Sequence, residues 1–467
     1  MAIRQSPAAA PATGAAERRQ AAARRHLWLH YTRMGGYGPA AEIPVIVRGE
    51  GCYVYDEHGR RYLDGLSSLF CVNAGHGRPE LAAAAAAQIR ELDFFTNWSY
   101  AHPRAIELAE RIAALAPPGL ERVFFTSGGS EAVESAWKLA RAYHRLRGEE
   151  GRTKIVAREL AYHGSSLGAL AATGLPELQD AFAPVVPGAC HVPNTCAYHW
   201  PADRDPLWAA DAIEARILAE GPSTVAAVIL EPVQNAGGCF VAQEGYFARV
   251  REICDRHGVL LISDEVICSW GRLGHMFGCD RLGYVPDVIT TAKGLTSAVV
   301  PMGAMIVAEH VAEPFMRDDA SFEHGFTFGG HPVAAAVALA NIDLLEREEL
   351  CAHVRACEGA FRDMLDSLRD IEIVGDVRGA GYFHAIELVK DRVTKESFDD
   401  LESEDLLRGF LSGELYRRGL ICRTDDRGDP VLTLAPPLIA GPQQFEEMEA
   451  VLRPVLSEAS RRAGLRP

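Results

Sequence analysis

Lysine is what this chain most lacks. Five lysines (Lys138, Lys154, Lys293, Lys390 and Lys395) stand among 47 basic residues, and all the others are arginine. Where only a fixed positive charge is needed the sequence uses arginine, so a lysine in a special place asks for an amine. A guanidinium stays protonated and forms no imine, whereas a buried lysine can lose its proton. Long apolar runs are also missing. Hydrophobic residues make up 48% of the chain, but no run reaches the roughly 18 to 20 residues of a membrane span. A positive balance is absent too: the formal net charge of −16 argues against nucleic acid or an anionic membrane as partner. The 11 cysteines, an odd number, form no spaced framework, which fits reduced thiols in a cytoplasmic protein. Cys190, His191, Cys196 and His199 lie close together, but their spacing fits no usual ligand pattern. They read as core or loop residues, and no metal is expected.

At 467 residues the chain has room for two or three domains and a large core. Residues 1–25 are rich in Ala, Pro and Arg with almost no large apolar groups. Such a segment buries too little to offset its ordering entropy, so a disordered tail is expected, with an Arg-rich transit peptide as the alternative. Order is expected to begin at His26. IPVIVRGEGCYVYDEHGRRYLDG then alternates like two strands around a turn at Glu57–Gly59. An alanine-rich helix follows from Pro79 to about Arg90, and an aromatic loop from Phe94 to Tyr100.

Two stretches carry the chemistry. Val259–Ser263 is a short apolar run, a buried parallel strand by pattern, and Asp264-Glu265 stands at its end. A second short strand, Val288–Thr291, delivers Lys293 to a similar edge, followed by Gly294. Ligands of open α/β sheets bind outside the carboxyl ends of strands. A carboxylate and an amine placed there suit pyridoxal 5'-phosphate, whose aldehyde binds a lysine and whose ring nitrogen pairs with an acid. Upstream, Val123–Phe125 leads through Ser127-Gly128-Gly129-Ser130 into an amphipathic helix from Glu131 to His144. A glycine-serine turn opening a helix presents free N–H groups and the positive end of the dipole, which suits phosphate, though it also serves as an ordinary cap.

Residues 154–240 alternate strand, loop and helix, which predicts a mainly parallel sheet covered on both faces. Beyond the long helix starting at Val333 the pattern changes to helix, short strands, a charged segment at 390–405 and a final VLTLAPPLI. This predicts a smaller α+β domain.

In order along the chain stand SGGSEA, YHG, EPV, DEV, AKG and TFGGHP. From about His26 to Ser457 the chain resembles the class III, ornithine-aminotransferase-like family of pyridoxal-phosphate enzymes, in its ω-aminotransferase branch. The resemblance implies an α/β fold of type I, with a seven-stranded, mainly parallel sheet between helices and a smaller α+β domain built from both chain ends. The corresponding divisions are residues 26–75, a large domain at 76–335, and 336–467. It implies an internal Schiff base on Lys293, which becomes the proton-moving base once freed, and an Asp264 that keeps the ring nitrogen protonated. Gly128, Gly129 and Ser130 would cradle the phosphate; most relatives have serine at position 128. Tyr162 and Val266 would lie against the two ring faces, with His163 and Gly164 shaping the loop and Glu231 positioning a neighbour of the ring. Thr327 would reach the phosphate of a neighbouring subunit, making the protein a homodimer or a dimer of dimers with shared sites.

Tyr31, Phe70 and Trp98 stand where that branch lines its pocket, Phe70 replacing a frequent tryptophan. The branch also binds the acceptor's carboxylate with an arginine shortly before a PP motif. GLICRTDDRGDPVLTLAPPLI offers Arg423 and Arg427, with about three extra residues before Pro436-Pro437. Arg423 is the preferred clamp. Asp425, Asp426 and Asp429 surround both and either hold an arginine away from substrate or favour a cationic donor. The resemblance thus implies transfer of an amino group from an ω-amine or ω-amino acid (β-alanine, taurine, a diamine) to pyruvate or another 2-keto acid. A decarboxylase or aminomutase sharing the lysine and aspartate is the alternative, and a non-catalytic regulatory protein that binds the same cofactor is the rival from another class. No basic helix-turn-helix precedes residue 26 to support the latter.

Overall fold

VAAVIL at Val225–Leu230 is buried at every position, the mark of a strand covered on both faces. It is an interior strand of a seven-stranded sheet. In spatial order the strands are Leu120–Thr126, Gly303–Ala308, Val288–Thr291, Leu260–Asp264, Val225–Leu230, Lys154–Arg158 and Ala189–Val192. Gly303–Ala308 runs antiparallel to both its neighbours, Val288–Thr291 and Leu120–Thr126. The other five contiguous strands are parallel. Two reversals bring Leu120–Thr126 back to the common direction, so its carboxyl end joins theirs on one edge. This is the α/β sheet that the alternating pattern predicts. The computed structural model describes residues 13–38 and 41–466.

Helix Gly129–Leu146 packs on this sheet. Its buried residues Ala132, Val133, Ala136, Trp137, Leu139, Ala140 and Tyr143 fall at helical spacing, which forms one apolar stripe. Each large side chain so buried stabilises by roughly 1.5–3 kcal/mol. Two four-stranded sheets lie outside the main one. In the first, Ile46–Glu50, Tyr53–Asp56 and Arg61–Asp64 form an antiparallel meander, three strands where the sequence suggested two. Leu420–Ile421 joins it in parallel to Arg61–Asp64, so distant parts of the chain share a sheet. The second runs Val374–Ala380, Phe383–Leu388, Val431–Leu434 and Arg423–Asp425, all antiparallel, and places the arginine-bearing strand on its edge.

One expectation is corrected. The segment read as a disordered tail through residue 25 contains a helix, Thr13–His26; residues 1–12 lie outside the described residues. Ala, Arg, Gln and Glu are strong helix formers, and polar contacts rather than an apolar stripe fix this helix. Gln20 is buried, donates from Nε2 to Ile43 O (2.9 Å) and accepts from Ile43 N–H (3.0 Å). Arg19 pairs with Glu57 at 2.5 Å.

Candidate active site

Three neighbouring parallel strands deliver three ionisable groups to one edge. Val225–Leu230 ends at Glu231, Leu260–Asp264 ends on Asp264, and Val288–Thr291 is followed two residues later by Lys293. Ser263 pairs with Leu230, and Asp264 with Thr290, so the ends are level. With strands about 4.8 Å apart, the three side chains span the width of a single small-molecule site. A cavity of about 350 Å³ opens there. Its lining includes Lys293, Asp264, Glu231, Tyr162, His163 and Val266.

Asp264 is buried and gathers donors. His163 Nδ1 donates to its Oδ2 at 2.7 Å, while Thr290 Oγ1 and Val266 N–H each donate to Oδ1 at 3.2 Å. His163 is fully enclosed, and its Nε2 has no hydrogen-bond partner among the described residues. Glu231 accepts from Tyr162 N–H (3.2 Å) and Asn235 N–H (2.9 Å), so it fixes the loop carrying Tyr162. Burial raises the Glu231 carboxyl's pKa. Burial likewise lowers that of the Lys293 amine, with the nearby Asp264 and Glu231 opposing. A lowered lysine pKa increases the neutral, nucleophilic fraction.

The turn Ser127–Ser130 caps helix Gly129–Leu146 at the same edge. Glu131 accepts from Ser127 N–H at 2.7 Å and holds the turn open toward the cavity. Two glycines are demanded by the close packing here. A Cβ on Gly129 would meet Val266 Cγ1 at 2.8 Å, and Gly164, at φ +135°, would drive one into Ser130 Oγ. The cavity thus presents an amine, a carboxylate below a backing histidine, and a helix N-terminus with a serine hydroxyl. That donor set fits pyridoxal phosphate: amine to aldehyde, acid to ring nitrogen, turn to phosphate.

The lining also contains Ser127, Cys71, Thr296, Pro301 and Met302, which the sequence reading did not select. Ser127 adjoins the SGGS motif and was within reach of that argument. The others come from loops without a pattern of their own.

The expected substrate residues are only partly brought together. Tyr31 reaches the site, its hydroxyl 3.4 Å from that of Tyr162. Arg427 lies with its guanidinium carbon 5.6 Å from the Tyr162 ring centre. Arg423 is close to Asp425, at 3.2 Å. Phe70 corrects the expectation: it is 2% exposed, packs edge-on against Phe383, and does not line the cavity. Positive φ at Ser67, Ser68 and Phe70 itself turns its ring into the core and leaves Cys71 on the lining. Trp98 is also elsewhere. It lines a different cavity with Phe124, Phe322 and His324, and its Nε1 donates to Phe326 O at 3.5 Å. Thr327 is exposed and is not part of the Lys293 cavity of its own chain.

Cys196 and His199, discounted as zinc ligands, do approach each other together with Glu387. His199 Nε2 is engaged by Glu387 Oε1 at 2.7 Å and Asp429 Oδ2 at 3.1 Å, the arrangement of a protonated imidazole between two carboxylates. Those two partners push its pKa up to about 9. Among the described residues, no helix is long and apolar enough to cross a membrane.

Comparison with known proteins agrees with this geometry. Residues 37–456 match the family model described as aminotransferase class-III. The chain is 56% identical over 442 residues to the Probable aminotransferase Rv3329 of Mycobacterium tuberculosis, covering 94% of each. It is 38% identical to the putrescine–pyruvate aminotransferase of Pseudomonas aeruginosa, covering 89% of this chain and 91% of that one. Among solved structures, a thermostable (S)-enantioselective omega-transaminase from Thermomicrobium roseum superposes with a TM-score of 0.91 at 38% identity, covering 95% and 99% of the two chains. Proteins of this family and fold depend on pyridoxal phosphate and transfer amino groups. The level strand ends, the glycine-serine turn at the helix start and these likenesses converge: the chain belongs to the class III aminotransferases, in the type I fold.

Proposed function

We propose that this transaminase moves an amino group from an ω-amine or ω-amino acid to pyruvate or a similar 2-keto acid, through a Schiff base on Lys293. The observation that carries the reading is the level placement of Lys293, Asp264 and Glu231 on adjacent strand ends, beside the SGGS turn. Bound there, pyridoxal phosphate supplies an aldehyde that condenses with amines and a ring that accepts electrons from bonds at the attached carbon. Asp264 would hold the proton on the ring nitrogen, and His163 Nδ1–H keeps its carboxylate oriented. Gly128, Gly129 and Ser130 would seat the phosphate through N–H groups and a hydroxyl. Tyr162 and Val266 would flank the ring. Lys293 Nζ, freed by the incoming amine, would move the proton between the substrate carbon and the cofactor.

For the donor, the apolar part of the lining, including Val266, Ile267, Val300, Pro301 and Met302, suits an amine without an α-carboxylate. The putrescine–pyruvate relative makes a diamine the first to try. For the acceptor, Arg423 is the preferred carboxylate clamp. Exposed Thr327 would serve the phosphate of a second copy, so the working unit would be a homodimer.

The test is the visible spectrum of purified protein before and after alanine, β-alanine, taurine, putrescine and an aryl-ethylamine, with Lys293→Ala as control. The expected result is a yellow protein that one donor bleaches and pyruvate restores, with no such band in the variant. A colourless protein even with added cofactor would sink the Lys293 assignment. Consumption of many equivalents of amine per site without any keto acid would replace transamination by decarboxylation or rearrangement, since a transaminase stops after one.

A further inference from the structure

Between the two arginines offered for a keto-acid carboxylate stands a carboxylate of the chain itself. Arg423–Asp425 is an edge strand, Arg423 pairing with Thr433 and Asp425 with Val431. Alternation along a strand puts Arg423 and Asp425 on one face. Asp425 is 5% exposed. Arg427 takes it bidentately, Nε to Oδ1 at 2.8 Å and Nη2 to Oδ2 at 2.6 Å. Arg423 meets the same Oδ2 through one ion-pair contact at 3.2 Å. A two-bond fork holds an arginine in place, whereas a single longer contact leaves most of its donors free. The neighbouring acids are otherwise engaged: Asp426 by Arg408 and Asp429 by His199.

This cluster stands behind the cavity lining rather than in it, adjoining it where Arg427 faces the ring of Tyr162. The proposed reaction brings two unlike partners to it in turn. A donor without an acid group, such as a diamine or an aryl-ethylamine, brings no carboxylate, and a partly buried guanidinium without a counter-anion is costly beside a cation. The keto acid then brings a carboxylate that needs that guanidinium. We infer that Asp425 is a resident stand-in for the substrate carboxylate. It neutralises Arg423 while the amine is bound, yields Arg423 to the keto acid, and keeps Arg427 parked against Tyr162 throughout. Asp425 is thus a positioning residue that sets the balance between donor and acceptor. This rests on the reading of Arg423 as the acceptor's clamp. Burial pushes the Asp425 carboxyl up to about 6 against the pull of Arg423. The charges facing it are Arg423, Arg427, Asp426 and, from the helical run Asp405–Leu411, Arg408.

The experiment follows the two half-reactions of the holoenzyme separately by its visible spectrum. In Asp425→Asn the apparent KM for pyruvate should fall about threefold to tenfold, and that for an aryl-ethylamine should rise by a similar factor. A merely structural loss would move both the same way. In the wild type the pyruvate KM should fall as pH drops through about 6, because a protonated Asp425 releases Arg423; the variant should be flat there. Arg423→Met separates the two layers. If it leaves the pyruvate KM unchanged, the clamp reading fails and the stand-in with it. If it raises the pyruvate KM while Asp425→Asn shifts both KM values together or neither, the stand-in alone is overturned. Where the Asn variant does not fold, the wild-type pH profile decides: a pyruvate KM that does not fall overturns the inference.

Discussion

Gly164 shows how tightly single residues define the cofactor site. At φ +135° it occupies backbone space that side chains avoid, and a methyl group there would displace Ser130 Oγ, which accepts from Ser165 N–H at 3.1 Å. Gly164→Ala should raise the dissociation constant for pyridoxal phosphate by about tenfold or more, read by titrating cofactor into the apoenzyme. A folded variant with unchanged affinity would show that the turn does not seat the phosphate. Asp264 behaves differently, because three donors hold it whether or not a ring nitrogen is present. Asp264→Asn should therefore keep the fold but lose activity by about a hundredfold or more, measured as turnover with cofactor saturating. Lys293, Asp264 and Glu231 were legible in the sequence because each closes a short apolar run, and a strand's end is where its side chain leaves the core. Phe70 was not. Its direction depends on positive φ values at serines that no pattern marks.

At the scale of elements, the parallel sheet could be read from VAAVIL, LLISD and VITT, since apolar runs of that length have few other uses. Helix Thr13–His26 could not be read by apolar periodicity, because it is held by Gln20 and Arg19 rather than by a stripe. Tertiary polar contacts leave no local signature. The same holds for His199, whose partners Glu387 and Asp429 lie far along the chain and tie a loop of one region to the strand Phe383–Leu388 of another. Its pKa of about 9 exceeds the ordinary 6.5. The stabilisation from the charged form is therefore complete below 6.5 and is lost as pH rises through about 9. Glu387, Asp429 and, through Glu387, Arg378 are the charges around it. Thermal scans of the wild type should show a melting temperature that declines across that window, and His199→Gln should remove about 1–3 °C of the decline. An equal slope in both proteins would mean that the bridge contributes nothing.

At the scale of the whole molecule, one set of loops brings several exposed aromatic groups together. Trp98 and Phe328 are each 60% exposed and Tyr100 63%. Phe94 packs edge-on against Phe328, which links the loop around residue 95 to the one carrying Thr327. An apolar surface of this kind suits a second copy of the chain. Phe328→Glu should shift the protein to monomers in sedimentation velocity and reduce activity with them. Unchanged assembly would remove this surface from the interface.

Exposed Thr327 has one further consequence. If each chain completes the other's phosphate site, two crippled proteins should rescue each other. Lys293→Ala lacks the amine but still lends its threonine; Thr327→Ala lacks the threonine but keeps its amine. Neither alone would work well, yet a hybrid of the two would hold one fully equipped centre and one doubly damaged one. Co-refolding the impaired pair should therefore raise turnover above that of either variant alone, as in genetic complementation between alleles of a single gene.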